Sequence, residues 1–221
     1  MLRFALFDLD DTLYASQCGL WAAIGARIDL YMVERLGIAP EATGAARKHY
    51  LETFGTTLNG LRREHEIDPH EFLSFVHDVP LSNYLSASAA LDAMLARLPL
   101  TKAVFTNADE PHARRVLDCL GIAHHFSQII DIHRLAFINK PDTRAYEQAL
   151  AVIGARPEEC VFIDDAVRNL RPAHGLGLLT VLVGPDQGPL PAGVDYRIET
   201  ILQLEDVLAS LDGERQRRRV T

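Results

Sequence analysis

The chain has 221 residues, of which 48% are hydrophobic and 24% charged, proportions normal for a globular protein with a sizeable core. This length fits one large domain, or a core domain with a smaller one. The formal net charge of -8 argues against a broad basic surface for nucleic acid, and the basic run ERQRRR near the C-terminus is interpreted as a solvated tail.

Cysteine usage and hydropathy favour the cytoplasm. Cys18, Cys119 and Cys160 are odd in number and widely spaced, which is typical of reduced, buried residues. No apolar stretch is long enough to span a bilayer, and the N-terminus lacks the features of a signal peptide. We expect a cytoplasmic monomer or small homo-oligomer with no nucleic-acid or membrane partner.

The first part of the chain predicts one strand followed by helices. Residues 3–9 predict a buried strand, and residues 16–37 predict a helix that ends at Gly37. Its apolar face carries Trp21, Ile24, Ile28, Tyr31, Met32 and Leu36. Helical patterns continue to about residue 80. Within them, DPHEF at residues 68–72 offers an Asp N-cap with Pro at the first helical position. Residues 86–98 predict another helix, opened by Ser, and no strand is predicted between residues 15 and 98.

The second part of the chain alternates between strand and helix. Strand-like segments are KAVFTN, FSQIIDI, CVFIDD and LTVLV, and the helical segments are EPHARRVLDCLGI, PDTRAYEQALAVIG and AVRNLRPAHGLG. Such alternation predicts an α/β fold, a doubly wound, Rossmann-like parallel sheet that the first strand also joins. We expect a core of residues 1–14 and 86–221 and a helical cap of residues 15–85. The segment GPDQGPLPAGVDY is interpreted as a surface loop.

Acidic and polar residues follow the predicted strands, where ligands of an open parallel sheet bind. They are Asp8 and Asp10, Thr106 and Asn107, and Asp164 and Asp165, with Lys140 in a loop just before a helix. With Lys140 as the one evident cation, these carboxylates would repel one another or bind protons. A divalent cation relieves the repulsion, and hard oxygen ligands favour Mg²⁺, which also binds phosphate oxygens.

The same residues suit phosphoryl transfer. A carboxylate such as Asp8 can attack phosphorus and form an aspartyl-phosphate. Asp10 can protonate the leaving alcohol and then deprotonate the water that hydrolyses the intermediate. Lys140, Thr106 and Asn107 can hold the phosphoryl oxygens.

These motifs, in this order, resemble those of the haloacid dehalogenase-like hydrolase superfamily, in its phosphatase branch. DLDDTLY resembles the first motif, DxDx[TV], and FTN, NKPD and FIDD resemble the second, third and fourth. The resemblance implies that Asp8 is the nucleophile and Asp10 the acid/base. It also implies that Asp8, the Asp10 backbone carbonyl and Asp165 bind the metal, and that the helical interval between the first two motifs is a cap.

A narrower resemblance is to the pyrimidine 5′-nucleotidase-like group. It rests on FDLDDTLY, FTNA, FIDDxxxN and the cap stretch YLETFGTTLNGLRREHEID, in which Phe54 stands where a second Tyr is expected. It implies a small phosphorylated metabolite as substrate, with a pyrimidine nucleoside 5′-monophosphate favoured.

Other functions remain open. A phosphatase for sugar phosphates or phosphoglycolate, or a phosphomutase, would use the same residues. A 2-haloacid dehalogenase would need neither the metal nor Asp10, and extra carboxylates would hinder its anionic substrate. A phospho-acceptor signalling domain would share the acidic pocket, the Thr and the Lys, but not Asp10 or the insertion.

Several neighbouring residues have two interpretations. Asp11 is expected in a turn or helix cap, and Thr12 either caps a helix or orients Asp8. Asp164 either binds the metal or contacts the residues that bind it. Asn169 is expected to have the second of these roles. Arg62, Arg63 and His65 either meet the leaving group or face solvent.

The histidines are expected at the surface or the edge of the core. This interpretation covers His49, His65, His70 and His77. His124 and His125 are adjacent and are not expected to act together, because neighbouring residues do not share a helix face.

Overall fold

The structure, a computed structural model, describes residues 1–211 and is built on a six-stranded parallel sheet. The strands are β1 (Phe4–Phe7), β2 (Thr101–Phe105), β3 (Phe126–Ile130), β4 (Cys160–Asp164), β5 (Leu179–Val183) and β6 (Tyr196–Ile198). Their order is β3-β2-β1-β4-β5-β6, and every neighbouring pair is parallel. The predicted α/β class is confirmed. The winding direction reverses at β1, which is where open sheets of this kind bind ligands.

Helices fill the connections between the strands. They are α1 (Leu20–Leu36), α2 (Thr43–Phe54), α3 (Thr57–Glu64), α4 (Pro69–Val76), α5 (Ala89–Arg97), α6 (Glu110–Leu120), α7 (Thr143–Ile153) and α8 (Val167–Leu176), and residues 204–211 are also helical. Helices α1 to α4 all lie between β1 and β2, and residues 15–98 contain no strand, as predicted. We call residues 15–85 the helical insertion.

Successive strand residues point into two separate cores, as the pleat of a sheet requires. In β1, Phe7 faces a core that also takes apolar residues from α5, α6 and the helical insertion. Leu6 faces the opposite core, which takes apolar residues from α7 and α8. Because both faces are covered, β1 is apolar along its whole length and β4 and β5 are apolar along most of theirs.

Local signals set several helix ends where the sequence predicts them. The Asp68 side chain accepts a hydrogen bond from the His70 backbone and begins α4, with Pro69 at the first helical position. Ser88 accepts from the Leu91 backbone in the same way at the start of α5. Gly37 ends α1 with φ +67°, a conformation that glycine adopts without strain.

Three expectations about the fold differ from the structure. The first long helix begins at Leu20 rather than at residue 16, because Gly19, at φ +85°, separates it from a short 3₁₀ turn. Trp21 is 46% exposed rather than packed with the apolar face of α1. Strand β6 was not predicted, because its three residues directly follow the Pro/Gly-rich loop and are too few to show a period.

Two expectations concern the surface and the chain end. Within residues 1–211, no helix has the length and apolar character needed to cross a lipid bilayer. The ERQRRR run, interpreted above as a solvated tail, lies outside the described residues.

Candidate active site

The carboxyl ends of the three central strands bring the first site residues together. Asp8 directly follows β1, Thr106 follows β2, and Asp164 ends β4. Since Phe7 pairs with Val104 of β2 and with Ile163 of β4, these residues leave the sheet side by side. The Asp8 N–H donates to the Ile163 carbonyl at 2.8 Å, so the backbone at Asp8 is fixed by the sheet.

Lys140 lies at the centre of this group and is almost completely buried. Its Nζ donates to Asp8 Oδ1 at 2.6 Å, to Asp164 Oδ2 at 2.8 Å and to the Phe105 carbonyl at 2.9 Å. Burial alone lowers the pKa of Lys140, but the charges of Asp164 and Asp8 outweigh burial and hold it above its usual value. Lys140 is therefore a fixed ammonium group.

Asn107 fixes the loop that carries Lys140. Its Oδ1 accepts from the Lys140 N–H at 2.9 Å, and its Nδ2 donates to the Lys140 carbonyl at 3.0 Å. Asn139 adds a further donor to that carbonyl at 2.7 Å. The Asn107 carboxamide thus positions Lys140, and the phosphate contact expected of Asn107 from the sequence stays a prediction.

Asp164 is held in place by backbone and side-chain donors. It is fully buried, its Oδ1 accepts from the Ala166 N–H at 2.8 Å, and Asn169 Nδ2 lies 3.0 Å from both of its oxygens. Asn169 therefore contacts Asp164 and holds it against Lys140.

Asp8, Asp164 and Asp165 form an acidic cluster that suits a divalent cation. Each offers one carboxylate oxygen, and these oxygens lie within 4.8 Å of one another. Burial, with the charges of Asp164 and Asp165, outweighs Lys140 and raises the pKa of Asp8. Desolvation, with the charges of Asp164 and Asp11, raises the pKa of Asp165 to about 6. The excess of negative charge is what a cation such as Mg²⁺ would relieve.

Two buried threonines add hydroxyl groups to the site. Thr12 is buried, and its Oγ1 lies 3.4 Å from Asp8 Oδ2, which favours the orienting role over the helix-capping role. Thr106 Oγ1 accepts from the Ala108 N–H at 3.0 Å, so its hydroxyl hydrogen is free to donate to a ligand. Asp11 turns the backbone with φ +58°, in keeping with the expected turn.

Asp10 is held by two residues that the sequence did not single out. Its Oδ1 accepts from the Tyr14 hydroxyl at 2.7 Å and lies 3.0 Å from His112 Nε2. Burial alone raises the pKa of Asp10, but His112 and Tyr14 outweigh burial and hold it below its usual value. Asp10 is thus kept in one orientation beside Asp8.

His112 is itself held by a chain of buried groups. Its side chain is fully buried, and its ring stacks on that of His77 with centroids 4.1 Å apart. His77 Nδ1 lies 2.8 Å from Asp109 Oδ1. Of the two positions expected for the histidines, the surface and the edge of the core, the surface is excluded for His77, which is 7% exposed and packs against His112 of α6.

A cavity of about 470 Å³ connects the strand ends with the helical insertion. At its floor lie Asp8, Asp10, Thr106, Asn107, Lys140 and Asp165. Its wall on the insertion side is mostly apolar and includes Trp21, Ile24, Ile28, Leu51, Leu73 and Val76. Trp21 and Leu51 are 46% and 42% exposed because this wall faces the cavity and not a packed core.

The insertion residues selected from the sequence do not line this cavity. Arg62 stacks over the Phe137 ring at 3.9 Å and donates to Asn59 Oδ1. His65 Nε2 lies 3.1 Å from the Tyr50 hydroxyl. Arg63, which is exposed, lines a separate groove together with Arg62.

The YLETFGTTLNGL stretch is largely architectural. Tyr50 is 3% exposed and packs on Gly60, where an added Cβ would meet the Tyr50 ring at 2.3 Å. Thr56 accepts from the Asn59 N–H and begins α3, and Asn59 donates to the Phe137 carbonyl at 2.9 Å. Phe54 lies outside the cavity lining, so its difference from the expected Tyr leaves the cavity wall unchanged.

A family model described as haloacid dehalogenase-like hydrolase matches residues 2–177, which include all four motifs. This agrees with the resemblance drawn from the sequence.

Curated relatives include proteins of phosphate metabolism. N-acetylmuramic acid 6-phosphate phosphatase of Pseudomonas aeruginosa is 26% identical, and the match covers 94% of this chain and 95% of that protein. Phosphate metabolism protein 8 of Saccharomyces cerevisiae is 28% identical over 78% of this chain. That match spans only 58% of the length of the yeast protein.

Solved structures share the fold at low identity. A HAD phosphatase from Thermococcus onnurineus superposes with a TM-score of 0.66 and 18% identity, covering 94% of this chain and 98% of that one. L-2-haloacid dehalogenase from Xanthobacter autotrophicus superposes with a TM-score of 0.61 and 16% identity, covering 95% and 99%. The fold alone therefore does not distinguish a phosphatase from a dehalogenase. The side chains of the site have to distinguish them.

Proposed function

The chain belongs to the haloacid dehalogenase-like hydrolase family, and on that premise we propose that it is a Mg²⁺-dependent phosphomonoesterase. The observation that carries the proposal is the acidic cluster of Asp8, Asp164 and Asp165 around the buried Lys140. A halogenated acid is an anion that gains nothing from three carboxylates, whereas a phosphate monoester can share a cation with them. The full-length likeness to a named phosphatase supports the same class.

The proposed reaction has two steps. The Asp8 carboxylate attacks phosphorus and the bond from phosphorus to the ester oxygen breaks. Asp10 gives a proton to the leaving alcohol, and it would hold that proton only with substrate bound, because the charge of the phosphate opposes its ionisation. Asp10 then takes a proton from water, whose oxygen attacks the aspartyl-phosphate and releases inorganic phosphate and the Asp8 carboxylate.

Chain residues around Asp8 would hold the phosphoryl group. Lys140 and the Thr106 hydroxyl would donate to its oxygens, and Thr12 would orient Asp8. Asp8, Asp165 and the Asp10 backbone carbonyl would hold Mg²⁺, which when bound neutralises charge on the phosphoryl oxygens.

We further propose that residues 15–85 act as a cap that covers the leaving group and excludes water. The preferred candidate substrate is a pyrimidine nucleoside 5′-monophosphate. Its support is the apolar wall, where Trp21 offers an exposed ring against which a base could stack. Sugar phosphates and phosphoglycolate are the second choice, because they have no flat apolar group for this wall. A phosphomutase would use the same chemistry and would form an isomer in place of free phosphate.

The test is phosphate release, with and without Mg²⁺, from UMP, CMP, ribose 5-phosphate and phosphoglycolate. We expect Mg²⁺-dependent release that is fastest for UMP or CMP, and ribose 5-phosphate isolates the contribution of the base. Asp8→Asn should abolish turnover in a folded protein, while Asp11→Asn at the adjacent acid should keep most of it. Turnover by Asp8→Asn would contradict the mechanism, and a long-lived phosphoprotein without turnover would indicate a phospho-acceptor domain.

A further inference from the structure

A second cluster of metal-ligating side chains lies outside the site described above. It consists of Asp92, in the first turn of α5, and of His124 and His125, in the 3₁₀ turn that precedes β3. His124 Nε2 lies 3.1 Å from Asp92 Oδ1, and His125 Nε2 lies 2.7 Å from the same oxygen.

This arrangement corrects the expectation that two adjacent histidines do not act together. Neighbouring side chains of a regular helix diverge, but here both imidazoles turn toward one carboxylate, with ring centroids 4.0 Å apart. The 3₁₀ turn Ala123–His125 is only one turn long, so the backbone is free to leave the helix after His125 and enter β3.

The spacing of the three ligand atoms suits a small tetrahedral ion. Zn²⁺ binds imidazole nitrogen and carboxylate oxygen at about 2.0–2.2 Å, which places tetrahedral ligand atoms about 3.3 Å apart. The two nitrogen-to-oxygen distances, 3.1 and 2.7 Å, are shorter than that by about 0.2 and 0.6 Å, and all three ligand atoms lie within 4.8 Å of one another. Two imidazoles and one carboxylate are a donor set that Zn²⁺ accepts and that Mg²⁺, with its preference for oxygen, does not.

The cluster is partly preformed and partly open. The His125 side chain is 11% exposed and is held by its surroundings. The side chains of Asp92 and His124 are 44% and 65% exposed, so water can reach the remaining coordination positions.

The cluster is also remote from the catalytic residues. His125 directly precedes β3, so it lies at the amino edge of the sheet, opposite the carboxyl ends that carry Asp8 and Asp164. β3 is an edge strand, and an ion here would tie the residue just before it to α5.

We propose that Asp92, His124 and His125 bind one Zn²⁺ ion, with water completing the coordination, and that this ion fastens the start of β3 to α5. The site is independent of the proposed phosphatase reaction and of the proposed Mg²⁺.

The test uses tag-free protein in excess Mg²⁺, so that the catalytic cluster is saturated. Titration calorimetry with ZnCl₂ should show one Zn²⁺ per chain, and Co²⁺ should give the visible absorption of a tetrahedral nitrogen and oxygen site. Zn²⁺ should also raise the melting temperature, because it binds the folded chain.

Three ligand variants and two controls make the result specific. Asp92→Asn, His125→Gln and His124→Gln should each weaken Zn²⁺ binding by at least about tenfold. His124 is exposed, so that variant should fold even if the others do not. Asp8→Asn should bind Zn²⁺ normally. His174→Gln should do so too, because the Nε2 of His174 lies 3.5 Å from a single carboxylate, that of Asp195. Failure of the wild type to bind Zn²⁺, or unchanged binding in His124→Gln and Asp92→Asn, would overturn the proposal.

Discussion

Lys140 determines the charge balance of the candidate site. Three acids, Asp8, Asp164 and Asp165, surround it, and its Nζ contacts two of them directly. A buried charge that loses its partner is strongly destabilising, so we expect Lys140 to matter for the fold as well as for the proposed chemistry.

Replacing Lys140 with Met should therefore lower kcat by about 10²–10³, the usual effect of losing one donor to the transition state. Lys102→Met is the matched control, because Lys102 is also buried but donates to the Leu98 and Leu100 carbonyls at the far end of β2. That variant should lose stability and keep kcat, measured as phosphate release per folded molecule. Equal losses of kcat in the two variants would show that Lys140 acts through stability alone.

His112 should matter for the rate through Asp10. His112→Phe keeps a ring to stack on His77 but removes the nitrogen that lies 3.0 Å from Asp10 Oδ1. We expect kcat to fall about tenfold or more with little change in KM, because general acid–base catalysis depends on a positioned carboxyl group. His112→Gln, which offers an amide donor, should recover part of the loss. An unchanged kcat in His112→Phe would show that Tyr14 alone positions Asp10.

At the scale of elements, the helical insertion depends on a close contact between α2 and α3. The Tyr50 ring occupies the space where residue 60 would have a Cβ, so these helices approach through a glycine. The same helices supply cavity residues, including Leu51 and Leu58, so their spacing also sets the shape of the substrate wall.

Gly60→Ala should accordingly destabilise the protein by about 1–3 kcal/mol, the usual cost of overpacking. Gly175→Ala is the control, because Gly175 lies in helix α8 with open space around its Cβ position. That change should stabilise the protein by about 0.5–1 kcal/mol, since alanine loses less conformational freedom than glycine. Denaturant unfolding of both variants measures the difference, and equal stabilities would contradict the packing argument.

Sequence patterns predicted the elements better than the contacts between them. Hydrophobic period and caps located the strands β1 to β5 and the helix starts at Asp68 and Ser88, because these signals act within a few residues. Periodicity puts Trp21 on the apolar face of its helix, but it does not distinguish a face that packs in a core from one that lines an apolar cavity. His112 was missed because its partner, Asp10, is 102 residues away and no local pattern joins them.

At the scale of the whole molecule, metal binding and stability should be linked through pH. In the folded protein the pKa of Asp165 is about 6, raised from an ordinary value of 3.8. Without metal, between about pH 4 and pH 6 the folded protein holds a proton on Asp165 that the unfolded chain has lost. The free energy of unfolding therefore falls as pH rises through this range from about 4 to about 6.

Mg²⁺ binding requires the deprotonated carboxylate, so Mg²⁺ should raise the melting temperature more at pH 7.5 than at pH 5. Thermal melts at the two pH values, with and without Mg²⁺, measure this difference. Asp165→Asn should remove most of the difference between the two pH values in the Mg²⁺ effect on melting temperature. Asp142→Asn, which changes a carboxylate outside the cavity, should leave this difference unchanged. A Mg²⁺ effect that is the same at both pH values would show that Asp165 does not bind the metal.

The central place of β1 has a consequence for how the chain is made. Both strands that pair with β1 come much later, beginning at Thr101 and Cys160. At synthesis rates of about 5–20 residues per second, roughly 5–20 s pass between the translation of Phe7 and that of β2. During this interval the emerging chain holds an apolar strand with no sheet to join, while the four helices of the insertion are translated one after another. We therefore expect the nascent protein to rely on the helical insertion, or on a chaperone at the ribosome, to shield the strand that precedes Asp8.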